Sequence, residues 1–263
     1  MIPSLLPDIA SQIELLRADF GLRPVTASEI EFYLIGSDNY PALPALWDDI
    51  KVTCTGAGIT LFKIEKEKGR EQHEISLPPA DALKTARDTE SLKHIINDRA
   101  AAHGLEVSFA ARPFKDQPGS GLHIHVHLID AGGKNVFYKD DVTISDPLKF
   151  SIGGLLATMQ ENMNVFAPTP ESCARFVAGS NAPLTVSWGA NNRTTAIRLP
   201  DSAHDQKRIE HRVAGADADV EKVMTAILAG IYHGLKNCGD PGPQMYGDAS
   251  LEMYGLPCLV IPA

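Results

Sequence analysis

The chain has 263 residues, 44% hydrophobic and 22% charged, the balance of an ordinary globular protein. Its 24 Lys and Arg against 33 Asp and Glu leave a net charge of −9 with no basic run, which argues against nucleic acid and anionic membranes as partners. No apolar run of about eighteen residues is present, and MIPSLLPDIA lacks the basic start and apolar core of a signal peptide, so a cytoplasmic protein is expected. Cys54, Cys173, Cys238 and Cys258 are too far apart for a C-x-x-C motif and read as reduced thiols.

In chain order, residues 8–20 carry Ile9, Ile13, Leu16 and Phe20 at helical spacing and end at Gly21. ASEIEFYLIG alternates as a strand, with Ile30, Phe32 and Leu34 opposite Glu29, Glu31 and Tyr33. Residues 36–60, rich in Gly, Pro, Asp and Asn, read as a loop with short elements, and 61–77 as one or two strands around Gly69. A helix is expected from Asp81 to His103, closed by Gly104. VSFAARPF (107–114) reads as a strand, residues 118–121 as a tight loop, and LHIHVHLID as the clearest strand in the chain, turned back at Gly132 and Gly133 towards NVFY.

Pro147 to Val165 has a helical apolar side, and 167–183 is Pro-rich and loop-like. Short strands are expected around TTAIRLP and RIEHRV, and a strong helix from about Asp219 to Lys236. The expected organisation is one α+β domain over residues 1–237, a curved and largely antiparallel sheet flanked by helices. Residues 238–263 read as a loosely ordered Pro/Gly-rich tail rather than a separate domain.

Because strand residues i and i+2 share a face, Glu29 and Glu31 lie together, as do His123, His125 and His127, and Arg208, Glu210 and Arg212. Arg198 lies opposite Ile197 and Leu199. A solvated sheet face explains any one of these strands. Together they describe a surface of carboxylates, imidazoles and guanidiniums, suited to divalent cations and to phosphate or carboxylate groups. The Gly69 bend in EKGREQHE brings Glu67 and Glu74 within reach of the same place, although that stretch also fits a charged exposed hairpin.

The ordered series EIEFYL, E-x-G-x-x-Q-x-E (Glu67, Gln72, Glu74), GSGLHIH (from Gly119), NRTTAIRLP (Asn192 to Pro200) and RIEHR resembles the glutamine synthetase family, in particular its branch making γ-glutamyl amides of amines and polyamines. The resemblance implies a funnel-shaped sheet between ATP and glutamate, with two or three Mg or Mn ions at its waist. It assigns Glu31, Glu67 and Glu74 to one metal, and Glu29, His123 and Glu210 to a second. His125 and His127 would lie by the nucleotide, Arg193, Arg198 and Arg208 would clamp phosphate, Arg175 and Arg212 would bind glutamate carboxylates, and Gly119 would shape the substrate loop.

The sequence also departs from the family. It reads as starting at the catalytic domain, without the family's N-terminal β-grasp domain or long C-terminal extension, so the β-grasp contribution is expected to be absent or to come from another polypeptide, and the expected assembly is a homo-oligomer or a complex with a partner chain replacing that domain. Asn181 stands where the family has a glutamate that helps deprotonate ammonium, and a neutral amide is no base. His127 replaces a serine, Pro118 an asparagine, and the Asn-Pro-Tyr of the late helix is absent near Asp219.

The expected activity is an ATP-dependent ligase that activates the γ-carboxylate of glutamate, or a similar acid, as an acyl phosphate and passes it to ammonia or another amine. Carboxylate is a poor electrophile and needs such activation, and metals with arginines neutralise the charge that moves with the phosphoryl group. The alternatives are a metal- and nucleotide-binding regulator or partner-completed subunit, and a phosphotransferase acting on another small substrate.

Overall fold

A computed structural model describes residues 8–38, 40–140 and 144–259. The chain begins with α1 (Ile9–Phe20), capped by the Asp8 carboxylate accepting from the Ser11 amide and closed by Gly21 at φ 67. β1 (Arg23–Ile35) is the long central strand. α2 (Leu43–Gly56), the hairpin β2 (Lys63–Lys66) and β3 (Gln72–Ser76), the two-residue β4 (Ala80–Asp81) and α3 (Ala82–Ala102) follow. Next come β5 (Glu106–Ser108), β6 (Leu122–Ile129), α4 (Asp146–Met159) and α5 (Met163–Phe166). β7 (Trp188–Ala190), β8 (Ile197–Leu199), β9 (Ile209–His211) and α6 (Val220–Asn237) complete the set.

The strands form one open sheet in the order β2-β3-β1-β6-β9-β8-β7, with β4 and β5 also paired to β1. Every pairing is antiparallel except β7 with β8. The α+β class with a largely antiparallel sheet is therefore correct. One face of the sheet buries Ile30, Phe32, Leu34, Leu122, Ile124 and Val126 in a core shared with the helices. Burial of this continuous apolar face is what holds the opposite, polar face in place.

Several boundaries differ from the sequence expectations. Residues 36–60 contain the 14-residue α2. Its Pro44 sits in the first turn, where no backbone donor is required, and Leu46, Ile50 and Cys54 recur every fourth residue against the core. The strand expected over 107–114 shortens to β5, because Arg112 and its neighbours turn away to build a loop. The hairpin after β6 is reduced to a single bridge, Ile129 with Asn135, since the Asp130 carboxylate takes the Gly132 and Lys134 amides into a turn of its own. The helix from Pro147 breaks after Met159 and resumes as α5. β7 was not anticipated.

The C-terminal segment is built into the fold as far as residue 259. Met245, Ala249 and Leu259 are buried, and Val186 and Leu259 exchange backbone hydrogen bonds with Pro257 and Leu184. Residues 260–263 of the expected tail lie outside the described residues.

α4 and α6 cross at glycines. A Cβ on Gly154 would lie 2.2 Å from the Gly230 carbonyl oxygen and 2.4 Å from the Gly234 nitrogen, both backbone atoms that no rotamer change can move. Gly154→Ala is expected to push the helices apart and cost about 1–3 kcal/mol of stability by urea unfolding, the usual penalty for overpacking.

Candidate active site

Strand register assembles the polar face. β1 pairs with β3 so that Glu31 faces Glu74, and with β6 so that Glu29 faces His123 and Ala27 faces His125. β9 then places Glu210 opposite both His125 and Arg198. Cross-strand neighbours of this kind hold their side chains a few ångströms apart, so the strand residues converge although distant in sequence, and the β2–β3 loop adds Glu67.

Among the described residues three groups of ligand-type atoms result, each within 4.8 Å: Glu31, Glu67 and Glu74; Glu29, Glu74 and His123; Glu29, His125 and Glu210. The first is the trio expected from the sequence. The second expected trio is rearranged, because Glu29 bridges two imidazoles. Its Oε1 lies 2.9 Å from His125 Nε2, and its Oε2 lies 3.4 Å from His123 Nδ1, which itself lies 3.9 Å from Glu210 Oε1. His125 thus stands among the carboxylates as well as beside Arg208, which donates from Nε to His125 Nδ1 at 3.1 Å.

The electrostatics show a site short of positive charge at one end. Burial, then the charges of Glu29, Glu31 and Glu67, push the Glu74 carboxyl up to about 9. Burial, then Glu31, also raises Glu67. Burial would raise Glu29, but His123 and His125 outweigh it and hold that carboxyl below its ordinary range. Burial likewise opposes ionisation of Glu210, yet Arg212, His125 and His123 hold it down to about 2. Carboxylates that repel one another, supplied with oxygen and imidazole donors, fit divalent Mg or Mn.

The arginines take distinct places. Arg198 donates from Nη1 to Glu210 Oε2 at 2.6 Å and from Nη2 to Asn191 Oδ1 at 2.7 Å. Arg212 donates from Nη1 to Glu210 Oε1 and from Nη2 to the Asn181 carbonyl at 3.3 Å. Arg175, at the end of the 3-10 turn Ser172–Arg175, is buried and donates to the Val213 carbonyl at 2.6 Å. Burial lowers its guanidinium to about 10, with Glu31 and Asp217 acting the other way. Arg193 lies exposed in the turn between β7 and β8.

Two clefts flank the ligand groups. One, about 890 Å³, is lined by Glu31, Glu67, His123, Arg175, Arg212 and the 177–182 loop. Gly119 forms part of its wall because a Cβ there would sit 2.6 Å from the Ala111 carbonyl and 2.7 Å from Arg175 Cβ. Gly121 donates its amide to Glu31 at 2.7 Å. Asn181 is on this wall, exposed, with Pro118 opposite in the 112–119 loop. The other cleft, about 1010 Å³, has Glu29, His125, His127 and Arg208 at one end and Phe62, Leu77 and Pro79 along it. Burial, then Arg208, keeps His127 below its usual range and so neutral.

Sequence reasoning did not single out Asn191 or Arg112. Asn191 steadies Arg198 from a backbone position at φ 46, where asparagine is one of the few tolerated residues. Arg112 donates to the carbonyls of Lys115, Gln117 and Ala174, tying the Gly119 loop to the turn that bears Arg175. An asparagine doublet ahead of Arg193 was a readable signal for the first; for the second there was none.

An open, largely antiparallel sheet whose polar face joins two clefts through clustered carboxylates and imidazoles is the frame of a catalytic domain. The profile "Glutamine synthetase, catalytic domain" matches residues 42–254, and the chain belongs to the glutamine synthetase family. It is 33% identical over 266 residues to gamma-glutamylputrescine synthetase of Escherichia coli (strain K12), covering 90% of this chain and 56% of that protein. It is 34% identical over 196 residues to glutamate–isopropylamine ligase of Pseudomonas sp, covering 73% of this chain and 42% of that one. Among solved structures, a GmaS/ADP complex superposes with a TM-score of 0.83 at 27% identity, covering 97% of this chain and 64% of that one. The chain thus spans about half the length of these curated relatives.

Proposed function

We propose that the chain is the catalytic part of an ATP-dependent carboxylate–amine ligase that activates the γ-carboxylate of glutamate or a similar acid. The observation that carries this reading is the junction of the two clefts at three ligand groups, with arginines on both sides. Glu31, Glu67 and Glu74 would hold one divalent ion, and a second would sit at Glu29, which groups with Glu74 and His123 on one side and with His125 and Glu210 on the other. Such ions supply charge neutralisation at phosphate oxygens.

The residues of the chain then have separable tasks. The cleft along Phe62, Leu77 and Pro79 receives the apolar face of the nucleotide base, leaving the phosphates towards His125, Arg208 and Arg198. Arg175 and Arg212 hold the acid in the opposite cleft, so that its free carboxylate points at the γ-phosphorus. A carboxylate oxygen attacks that phosphorus and ADP departs, with Arg198 and Arg208 balancing the developing charge. An amine lone pair then attacks the acyl carbon, the acyl C–O bond to phosphate breaks, and inorganic phosphate leaves and takes up the proton that the nitrogen loses.

Asn181 offers a neutral amide where a base would help deprotonate the incoming nitrogen, so that nitrogen has to arrive neutral whether it is ammonia or a substituted amine. The names of two relatives, which act on putrescine and isopropylamine, favour a substituted amine. The purified chain is expected to release phosphate from ATP only when the acid, an amine and Mg or Mn are all present. No turnover across a broad amine panel, with nucleotide and metal shown to bind, would favour the second reading: a nucleotide-binding regulator or a subunit completed by a partner chain, for which the neutral Asn181 is the motive. Among the described residues no helix is long and apolar enough to cross a membrane.

A further inference from the structure

We propose that Asp217 is a positioning residue for Arg175, a half-buried counter-charge that turns the guanidinium so that one nitrogen is left for the acid substrate. The inference rests on the role given to Arg175 above. The starting observation is a pair of complementary orphans. Arg175 is 3% exposed and its Nε has no hydrogen-bond partner, while Asp217 Oδ1 is also buried without one. A buried guanidinium donor and a buried carboxylate acceptor, each unmet, are costly when separate and favourable when they face each other, directly or through a water.

They meet at Gly215. A Cβ placed there would lie 2.5 Å from Asp217 Oδ1 and 3.5 Å from Arg175 Cδ, so only glycine leaves the space between them open. The other Asp217 oxygen is fixed: Oδ2 accepts from Ser172 Oγ at 2.6 Å. Ser172 opens the 3-10 turn that Arg175 closes, and it is cross-tied to Thr169, whose Oγ1 lies 3.0 Å from Ser172 Oγ. Asp217 therefore grips the start of the turn with one oxygen and leaves the other at the Gly215 space, which the side chain at the end of the turn also borders.

The nitrogens of Arg175 divide accordingly. Nη1 donates to the Val213 carbonyl at 2.6 Å, and Nε, bonded to the Cδ that borders the Gly215 space, has no other partner. Nη2 remains, and it lies against Gly121, where a Cβ would come within 2.8 Å of it, on the wall of the acid cleft. One nitrogen is thus fixed on Val213, a second is left for the Asp217 charge across the Gly215 space, and the third is left for substrate. The selectivity of this arrangement is for an anionic group on the acid, with no effect on nucleotide.

The test is Asp217→Asn in the full chain. It keeps the size and an acceptor for Ser172 but removes the charge. The expected result is a KM for the acid raised ~tenfold, the scale of one lost charge-assisted hydrogen bond, with kcat and the KM for ATP moving far less. Calorimetric titration of the acid onto the chain should show the same weakening without turnover. Equal shifts in acid and ATP constants would mark Asp217 as a structural tie and overturn the proposal, as would unchanged acid binding in a folded variant. Ser172→Ala, which frees the turn but leaves the charge, is expected to give a smaller shift in the same direction, and it replaces the first variant should that one not fold. An Arg175→Met variant separates the two failures. If it leaves acid binding intact, the role of Arg175 falls; if it weakens binding and Asp217→Asn does not, only the present inference falls.

Discussion

Arg212→Met is expected to destabilise the chain by about 3–5 kcal/mol at neutral pH and to abolish binding of the acid substrate. Glu210 has no exposed surface, and its two oxygens are taken up by Arg198 and Arg212. Methionine fills the volume of the arginine stem but leaves Oε1 with only His123 Nδ1 at 3.9 Å. Half of a buried charge is then unpaired, the costly way to break such a pair.

The pH dependence carries the same information. Glu210 is held at about 2 against an ordinary value of 4.5, so its contribution to stability is complete above 4.5 and is lost as pH falls through 2. Urea unfolding of the natural chain should therefore weaken across that window. In Arg212→Met the carboxyl sits higher, so the variant starts less stable and loses less on acidification. A loss under about 1 kcal/mol at pH 7, the scale of an exposed pair, would mean that Arg198 alone neutralises Glu210. Arg212→Lys is expected to recover part of the stability, since it restores charge without the planar fork that also reaches the Asn181 carbonyl.

This triad of Arg198, Glu210 and Arg212 shows which parts of the site can be read from sequence. Period-two alternation makes the face legible within one strand, so Glu29 with Glu31 and His123 with His125 were readable as neighbours. Pairing between strands was not legible, because Glu31 meets Glu74 only through a register set forty residues apart in the chain and fixed by burial of Ile30 and Ile75 behind them. The exchange of His125 into the Glu29–Glu210 group has the same origin. α2 was hidden by its composition: Pro41, Pro44, Gly56 and Gly58 signal a loop until their positions at the helix ends are known. The tail was hidden for the opposite reason, since its few apolar residues find partners on β7 and the 184–187 segment that no periodicity announces. Asp217 lacks any local pattern, and its part depends on the space at Gly215.

Glu74→Gln is expected to have effects of opposite sign in the two states of the site. Glu74 is 7% exposed and faces Glu29, Glu31 and Glu67, which together with burial raise its carboxyl to about 9. A carboxyl raised above its ordinary 4.5 supports the fold fully below 4.5 and withdraws that support as pH rises towards 9. The metal-free chain should therefore lose stability steadily over this interval, and the Gln variant should lose less and be the more stable of the two at pH 8. Addition of Mn reverses the order. A divalent ion at Glu31, Glu67 and Glu74 binds the folded natural chain and adds about 2.7 kcal/mol at a hundredfold excess over its Kd. Because binding needs the ionised carboxyl, this gain should grow with pH. Glu74→Gln removes one ligand and one charge from this group, so its melting temperature should respond to Mn less than that of the natural chain, keeping only the share of the Glu29, His125 and Glu210 group. Melting curves at pH 5, 7 and 8.5, in EDTA and in Mn, read both signs. Equal Mn stabilisation of the two chains would remove Glu74 from the ligand set, and a metal-free variant no more stable than the natural chain at pH 8 would show that the carboxylates of this face do not repel one another.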